Sequence, residues 1–199
     1  MKKAILIISF GTSYHETRAK TIDACERRLA ESCPDRDAFR AFTSEMIIRK
    51  LAKRDGMQID NPNQALQRLA EQGYQDVVIQ SLHIINGDEY EKVVTQVRAH
   101  AGMFKRLRIG VPLLSSHDDF EQLIAAMKSQ MPALAEDERA VFMGHGATHH
   151  AFAAYACLDH MLMIHQIPAM VGAVESYPEI HHVVMRLQQQ NVRRVHLMP

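Results

Sequence analysis

The chain has 199 residues, 47% of them apolar, an ordinary globular composition that permits one large domain or two small ones. Its 23 basic and 23 acidic side chains balance, so no overall field favours nucleic acid or a membrane surface, and an anionic substrate must be held by local charge. No apolar run approaches a membrane span, and Met1-Lys2-Lys3 leads directly into a short strand instead of a signal peptide, which points to the cytoplasm.

Ala4 to Ser9 is a continuous aliphatic run, as expected of a strand covered on both faces, and it ends in Ser9-Phe10-Gly11-Thr12-Ser13. Thr12 or Ser13 is the expected cap of a helix that carries Ile22, Cys25 and Leu29 through Ser32, with Pro34 stopping it. A weak strand (38–43) and a short amphipathic helix (46–54) ending near Gly56 come next. Asn61-Pro62 signals a cap and first helical position, Leu66 and Leu69 the buried face, and Gly73 the helix end.

Asp76 to Leu82 is the next strand. Asn86-Gly87 marks a turn, after which Asp88 is a natural cap for a helix with Tyr90, Val93, Val94 and Val97. A strand (107–111) closed by Pro112, a helix opened by Ser115 or Ser116, and a polar linker from Met131 to Glu138 follow. The pattern then restarts with a strand through Val141-Phe142-Met143, a Gly144-His145-Gly146 turn, a helix (148–163), a strand (170–174), a helix (179–190) and a strand (195–198). Alternating strands and helices imply an α/β fold with parallel sheets, arranged as an N-terminal lobe (1–132) and the start of a C-terminal lobe (139–199).

The halves resemble each other. Ser9-Phe10-Gly11 aligns with Gly144-His145-Gly146, and the segment from Gly73 to Ser81 aligns with that from Asn191 to Pro199. On this reading the second lobe is incomplete.

His145 is presented at the carboxyl end of a strand, the edge at which open α/β sheets bind ligands; the plainer alternative is a turn histidine capping the next helix. Glu175 follows the strand 170–174 and belongs to the same edge, where an imidazole and a carboxylate can bind a first-row divalent metal or serve as base and orienting partner. Its plainer alternative is a carboxylate in the first turn of the next helix. His149-His150 and His181-His182 are adjacent pairs whose side chains diverge on a helix, so surface positions are expected. The methionines around His165 fit a helix core. Ser9 to Ser13 lacks a full phosphate-binding fingerprint, which argues against a nucleotide. Asp88 and Glu89, at another strand's carboxyl end, either add charge to a cleft or cap a helix. The three cysteines form no Cys-x-x-Cys pair and read as reduced and structural.

The motifs S-F-G-T-S-Y-H, R-A-F-T-S-E-M-I-I-R-K-L, I-Q-S-L-H-I-I-N-G-D-E-Y-E-K, G-V-P-L-L-S-S-H, V-F-M-G-H-G-A-T-H-H-A-F-A-A-Y-A-C-L-D-H-M and V-G-A-V-E-S-Y-P-E span essentially the whole chain. In these the sequence resembles the CbiK-type class II chelatases, the anaerobic sirohydrochlorin cobaltochelatases of cobalamin biosynthesis. The resemblance implies two similar doubly wound lobes with the tetrapyrrole in the cleft between them. It implies a lyase-class enzyme with Co2+ as substrate metal, sirohydrochlorin as substrate and no organic cofactor. It puts the family's metal site, two histidines and a glutamate, on His145 and Glu175, with the second histidine expected beyond Pro199. His145 is also the implied base that takes the pyrrole protons. The S-F-G-T-S loop (Ser9, Phe10, Gly11, Thr12) and the N-G-D-E loop (Asp88, Glu89) are the implied cleft walls. Two alternatives stay open on the sequence: a ferrochelatase for siroheme, and a metal-binding protein without catalysis. Whether identical chains associate is open as well.

Overall fold

A computed structural model describes residues Met1–Pro199, which divide into two compact units, Met1–Leu113 and Leu114–Pro199. The first contains, in chain order, β1 (Lys2–Ser9), α1 (His15–Lys20), α2 (Ile22–Ser32), β2 (Asp37–Phe42), α3 (Glu45–Asp55), α4 (Pro62–Glu71), β3 (Tyr74–Ser81), α5 (Asp88–Ala99) and β4 (Arg106–Ile109). The second contains α6 (His117–Gln130), β5 (Glu138–Gly146), α7 (Ala153–Ile164), β6 (Ala169–Glu175), α8 (Ile180–Gln189) and β7 (Arg194–Met198).

Both sheets are wholly parallel, ordered β2-β1-β3-β4 in the first unit and β6-β5-β7 in the second. The chain moves from β1 to one neighbour and returns past it to the other, so right-handed connections alternate sides of the sheet, the doubly wound arrangement. The order β6-β5-β7 repeats β2-β1-β3 strand for strand. The duplication read from the sequence is therefore present in the topology, with Gly11 and Gly146 in the same place.

Ala4, Leu6 and Ile8 of β1 pack with Leu66, Leu69, Val77, Ile79, Val93 and Val97 in one core. Each fully buried aliphatic side chain there stabilises by roughly 1.5–3 kcal/mol. A smaller cluster in the second unit joins Val141, Met170 and Val183, with Met143 and Leu187 against them. On β3, the buried carboxylate of Asp76 takes a 3.1 Å bond from the Arg36 guanidinium. That bond holds its carboxyl below the usual range despite opposition from burial, with the charges of Arg36, Arg106 and Arg108 adding to it.

Several local expectations are corrected. The first long helix is two: Thr21 leaves helical geometry, and its hydroxyl donates to the Thr17 carbonyl at 2.7 Å. Tyr14 precedes α1, and neither Thr12 nor Ser13 caps it. Gly87, not Asp88, is the cap position of α5, and Asp88 is its first helical residue. The helix expected from Thr148 begins at Ala153, after a short tighter turn over 150–152. Glu138, expected in a linker, opens β5 and is buried with Arg194 at 2.8 Å and His196 at 3.0 Å. The capping signals at Asn61 and Ser116 hold, each forming a reciprocal capping box.

Candidate functional site

Gly144-His145-Gly146 is the last stretch of strand β5 and not a turn beyond it. Gly144 pairs with Ala173 and Gly146 with Glu175, so strand geometry carries the histidine to the end of the sheet. Both flanking glycines are dictated by neighbours. A Cβ on Gly144 would stand 2.9 Å from the Tyr155 ring carbon Cδ1. Gly146 has φ +92°, and a Cβ there would lie 2.6 Å from the carbonyl carbon of Glu175 and closer still to its oxygen. Burial raises the pKa of the Tyr155 hydroxyl above the ordinary phenol value, with a hydrogen bond from the Gly146 backbone opposing it.

This backbone contact brings the two predicted residues together. His145 Nε2 lies 3.9 Å from Glu175 Oε2, and both side chains are largely exposed, at 79% and 60%. An open imidazole and an open carboxylate at that separation offer two borderline-to-hard donors with vacant positions for an incoming divalent ion. The nitrogen is also available as a proton acceptor.

The remaining predicted residues lie at the carboxyl edge of the first unit's sheet. Ser9 is buried, and its hydroxyl has no hydrogen-bond partner; Phe10 is exposed. The Thr43 amide donates to the Ser9 carbonyl at 2.9 Å and the Ser44 amide to that of Phe10 at 3.3 Å, which fixes the loop. Gly11 has φ +91°, with the Phe42 ring where a Cβ would go, and the Thr12 hydroxyl accepts from the Tyr14 amide at 3.3 Å. Asp88 is exposed at the start of α5. Glu89 receives a 2.7 Å bond from Lys92. Burial raises its pKa, but Lys92, the Thr43 hydroxyl and the His83 ring outweigh it and hold the carboxyl below its ordinary value.

His83 was not anticipated. Its Nδ1 is 2.6 Å from the Ser81 hydroxyl, which accepts from the His83 amide at 3.2 Å, so the hydroxyl proton is free to bond the ring. Nε2 is buried without a partner, and burial lowers the pKa of the imidazole. The available signal was a histidine two residues past a serine at the end of a buried strand. The adjacent histidine pairs do not diverge: ring centroids are 3.8 Å apart for His149-His150 and 3.9 Å for His181-His182. Neither His145 nor Glu175 lines either of two open cavities of about 540 and 390 Å³, which border Arg40 and Arg68, and Arg139 and Arg186, respectively.

A family model described as cobalt chelatase (CbiK) matches residues 3–199. A sirohydrochlorin cobaltochelatase of Salmonella typhimurium is 66% identical over 199 residues, covering all of this chain and 75% of that protein. The sirohydrochlorin cobaltochelatase CbiKC of Nitratidesulfovibrio vulgaris is 34% identical over 201 residues, covering all of this chain and 71% of its own length. With a family match across nearly every residue and a relative at two-thirds identity, the chain belongs to the cobalt chelatase (CbiK) family.

Proposed function

We propose that this chain is a sirohydrochlorin cobaltochelatase, inserting Co2+ into the tetrapyrrole. The observation that carries the reading is the His145–Glu175 pair, 3.9 Å apart and open at a sheet edge. The 66% identical relative bearing that activity in its name supports it.

Metallation exchanges one divalent cation for the two protons of the inner pyrrole nitrogens, so the net charge of the macrocycle is unchanged only if both protons leave. His145 Nε2 takes these protons one at a time and releases each to solvent, to which its exposed ring has direct access. Glu175 holds the partly hydrated Co2+ and presents it to the macrocycle as the nitrogens become anionic. Cobalt is a substrate in this scheme and leaves in the product.

In the first unit, Ser9, Phe10, Gly11, Thr12, Asp88 and Glu89 are the proposed contacts to sirohydrochlorin. Phe10 offers an apolar surface to the macrocycle and the loop hydroxyls offer donors to its carboxylates. Glu89, kept ionised, suits the N–H face and repels a carboxylate. No helix is long and apolar enough to cross a membrane. The cytoplasm is the proposed compartment.

The test is to mix the protein with sirohydrochlorin and Co2+ and follow the macrocycle's absorption spectrum. Insertion faster than in buffer is expected, and its loss in His145→Ala without a change in melting temperature. No acceleration over buffer overturns the enzyme reading; wild-type turnover in His145→Ala overturns the assigned base. Faster insertion of Fe2+ than of Co2+ replaces the cobalt assignment with iron.

A further inference from the structure

We propose that Glu179, His181 and His182 form a second site for a divalent first-row cation, sharing no residue with the His145–Glu175 pair. Each of the three offers one ligand atom, and these atoms lie within 4.8 Å of one another. His181 Nδ1 is 3.1 Å from Glu179 Oε2, and the His181 and His182 rings lie together, tilted by 43°, with centroids 3.9 Å apart. Consecutive residues of a helix ordinarily point in different directions. Here the pair occupies the first turn of α8, where Glu179 is the cap residue but makes no side-chain cap bond. The carboxylate is therefore turned toward the histidines and not toward the helix amides.

A second observation points to a ligand. His182 Nδ1 is buried and has no hydrogen-bond partner, in a half-buried ring flanked by Tyr177 at 5.6 Å between centroids. Polar atoms in that condition generally serve some purpose. Two imidazoles and one carboxylate are a donor set suited to cobalt, iron, nickel or zinc, and small side-chain rotations bring atoms at these separations to bonding distance of one ion.

The site is held against β6. The Ala173 amide donates to the Pro178 carbonyl at 2.7 Å, and Ala173 pairs in parallel with Glu179. Glu175 is two residues further along the strand, roughly 7 Å, and Glu179 one strand spacing to the side, roughly 5 Å. The two backbones are thus about 8–9 Å apart, close enough for a cation held by Glu179 to wait beside Glu175. That purpose rests on the chelatase reading; the binding itself does not.

The experiment uses Co2+ alone, without tetrapyrrole, titrated into the protein and followed by calorimetry and by visible ligand-field absorption. Two Co2+ per chain are expected. His181 and Glu179 are exposed, at 59% and 56%, so His181→Ala and Glu179→Gln leave the fold intact. Each should weaken one of the two equivalents by more than the roughly 10–100-fold typical of losing an outer-shell partner, and Glu175→Gln should weaken the other. His182→Gln serves as a third variant with the same expectation. A single equivalent that depends only on His145 and Glu175, or two equivalents unchanged in His181→Ala, overturns the proposal. Loss of cobalt insertion with both equivalents retained would defeat the chelatase reading and leave this site standing.

Discussion

Replacing Gly146 with alanine tests whether the backbone of one strand sets the position of the carboxylate on the next. The new Cβ would lie 2.6 Å from the Glu175 carbonyl carbon and nearer its oxygen, at φ +92°. Reaching ordinary contact requires the two strands to part by roughly 1–2 Å. A positive φ at a non-glycine residue adds about 1–3 kcal/mol of strain. Displacing a reacting group by 1 Å is worth about 100-fold in rate, or about 2.7 kcal/mol of barrier. Gly146→Ala should therefore lower kcat/KM for Co2+ insertion by about two orders of magnitude and destabilise the fold. Gly56→Ala is the control: its φ is +66°, yet nothing lies within 4 Å of the added carbon. It carries the backbone strain without the collision. Insertion kinetics and thermal unfolding of both variants separate the two effects. Equal behaviour of Gly146→Ala and Gly56→Ala in both assays would refute the reasoning.

Glu175→Gln, which removes the charge and keeps the shape, should raise the KM for Co2+ by at least tenfold with a smaller change in kcat; an unchanged KM in steady-state kinetics contradicts its role. Asp76→Ala leaves the Arg36 guanidinium beside β3 without its carboxylate and should destabilise by about 3 kcal/mol, read by urea unfolding. Acid should weaken the fold in two stages. The half-buried His83 ring has a pKa below 6.5, so the unfolded chain binds its proton first, and that contribution is whole above pH 6.5 and lost as pH falls below it. Asp76 has a carboxyl depressed below 3.8, so its contribution is present above that value and lost as pH falls through the folded pKa. Unfolding free energy measured from pH 8 to pH 3 should show the first stage, and His83→Gln should flatten it; an unaltered first stage assigns it elsewhere.

The elements that the sequence made legible are those with local causes. The run Ala4-Ile5-Leu6-Ile7-Ile8 declares a covered strand, and Asn61-Pro62 declares a helix start because the cap and its partner are three residues apart. Glu138 reads as linker because the groups that bond its carboxylate, Arg194 and His196, lie more than fifty residues downstream. The histidine of Gly144-His145-Gly146 was legible as a strand-end residue. That the strand runs on through it was not, since the reason for Gly146 is the backbone of Glu175 on another strand. The close approach of the His181 and His182 rings was not legible for a different cause. The rule that neighbours diverge describes a helix interior, and this pair sits in the opening turn.

The equivalence of Gly11 and Gly146 has a consequence for how the two halves came to differ. Each glycine yields its side-chain space to the adjacent strand: Phe42 fills it in one half and the Glu175 main chain in the other. The residue just before it is Phe10 in the first half and His145 in the second. Duplicated scaffolding thus carries an oily aromatic at one copy of the position and a proton-binding ring at its counterpart. On the proposed reading, one copy of the position grips a flat molecule while its twin serves the ion, and a Phe10–His145 exchange would ask each half to do the other's work.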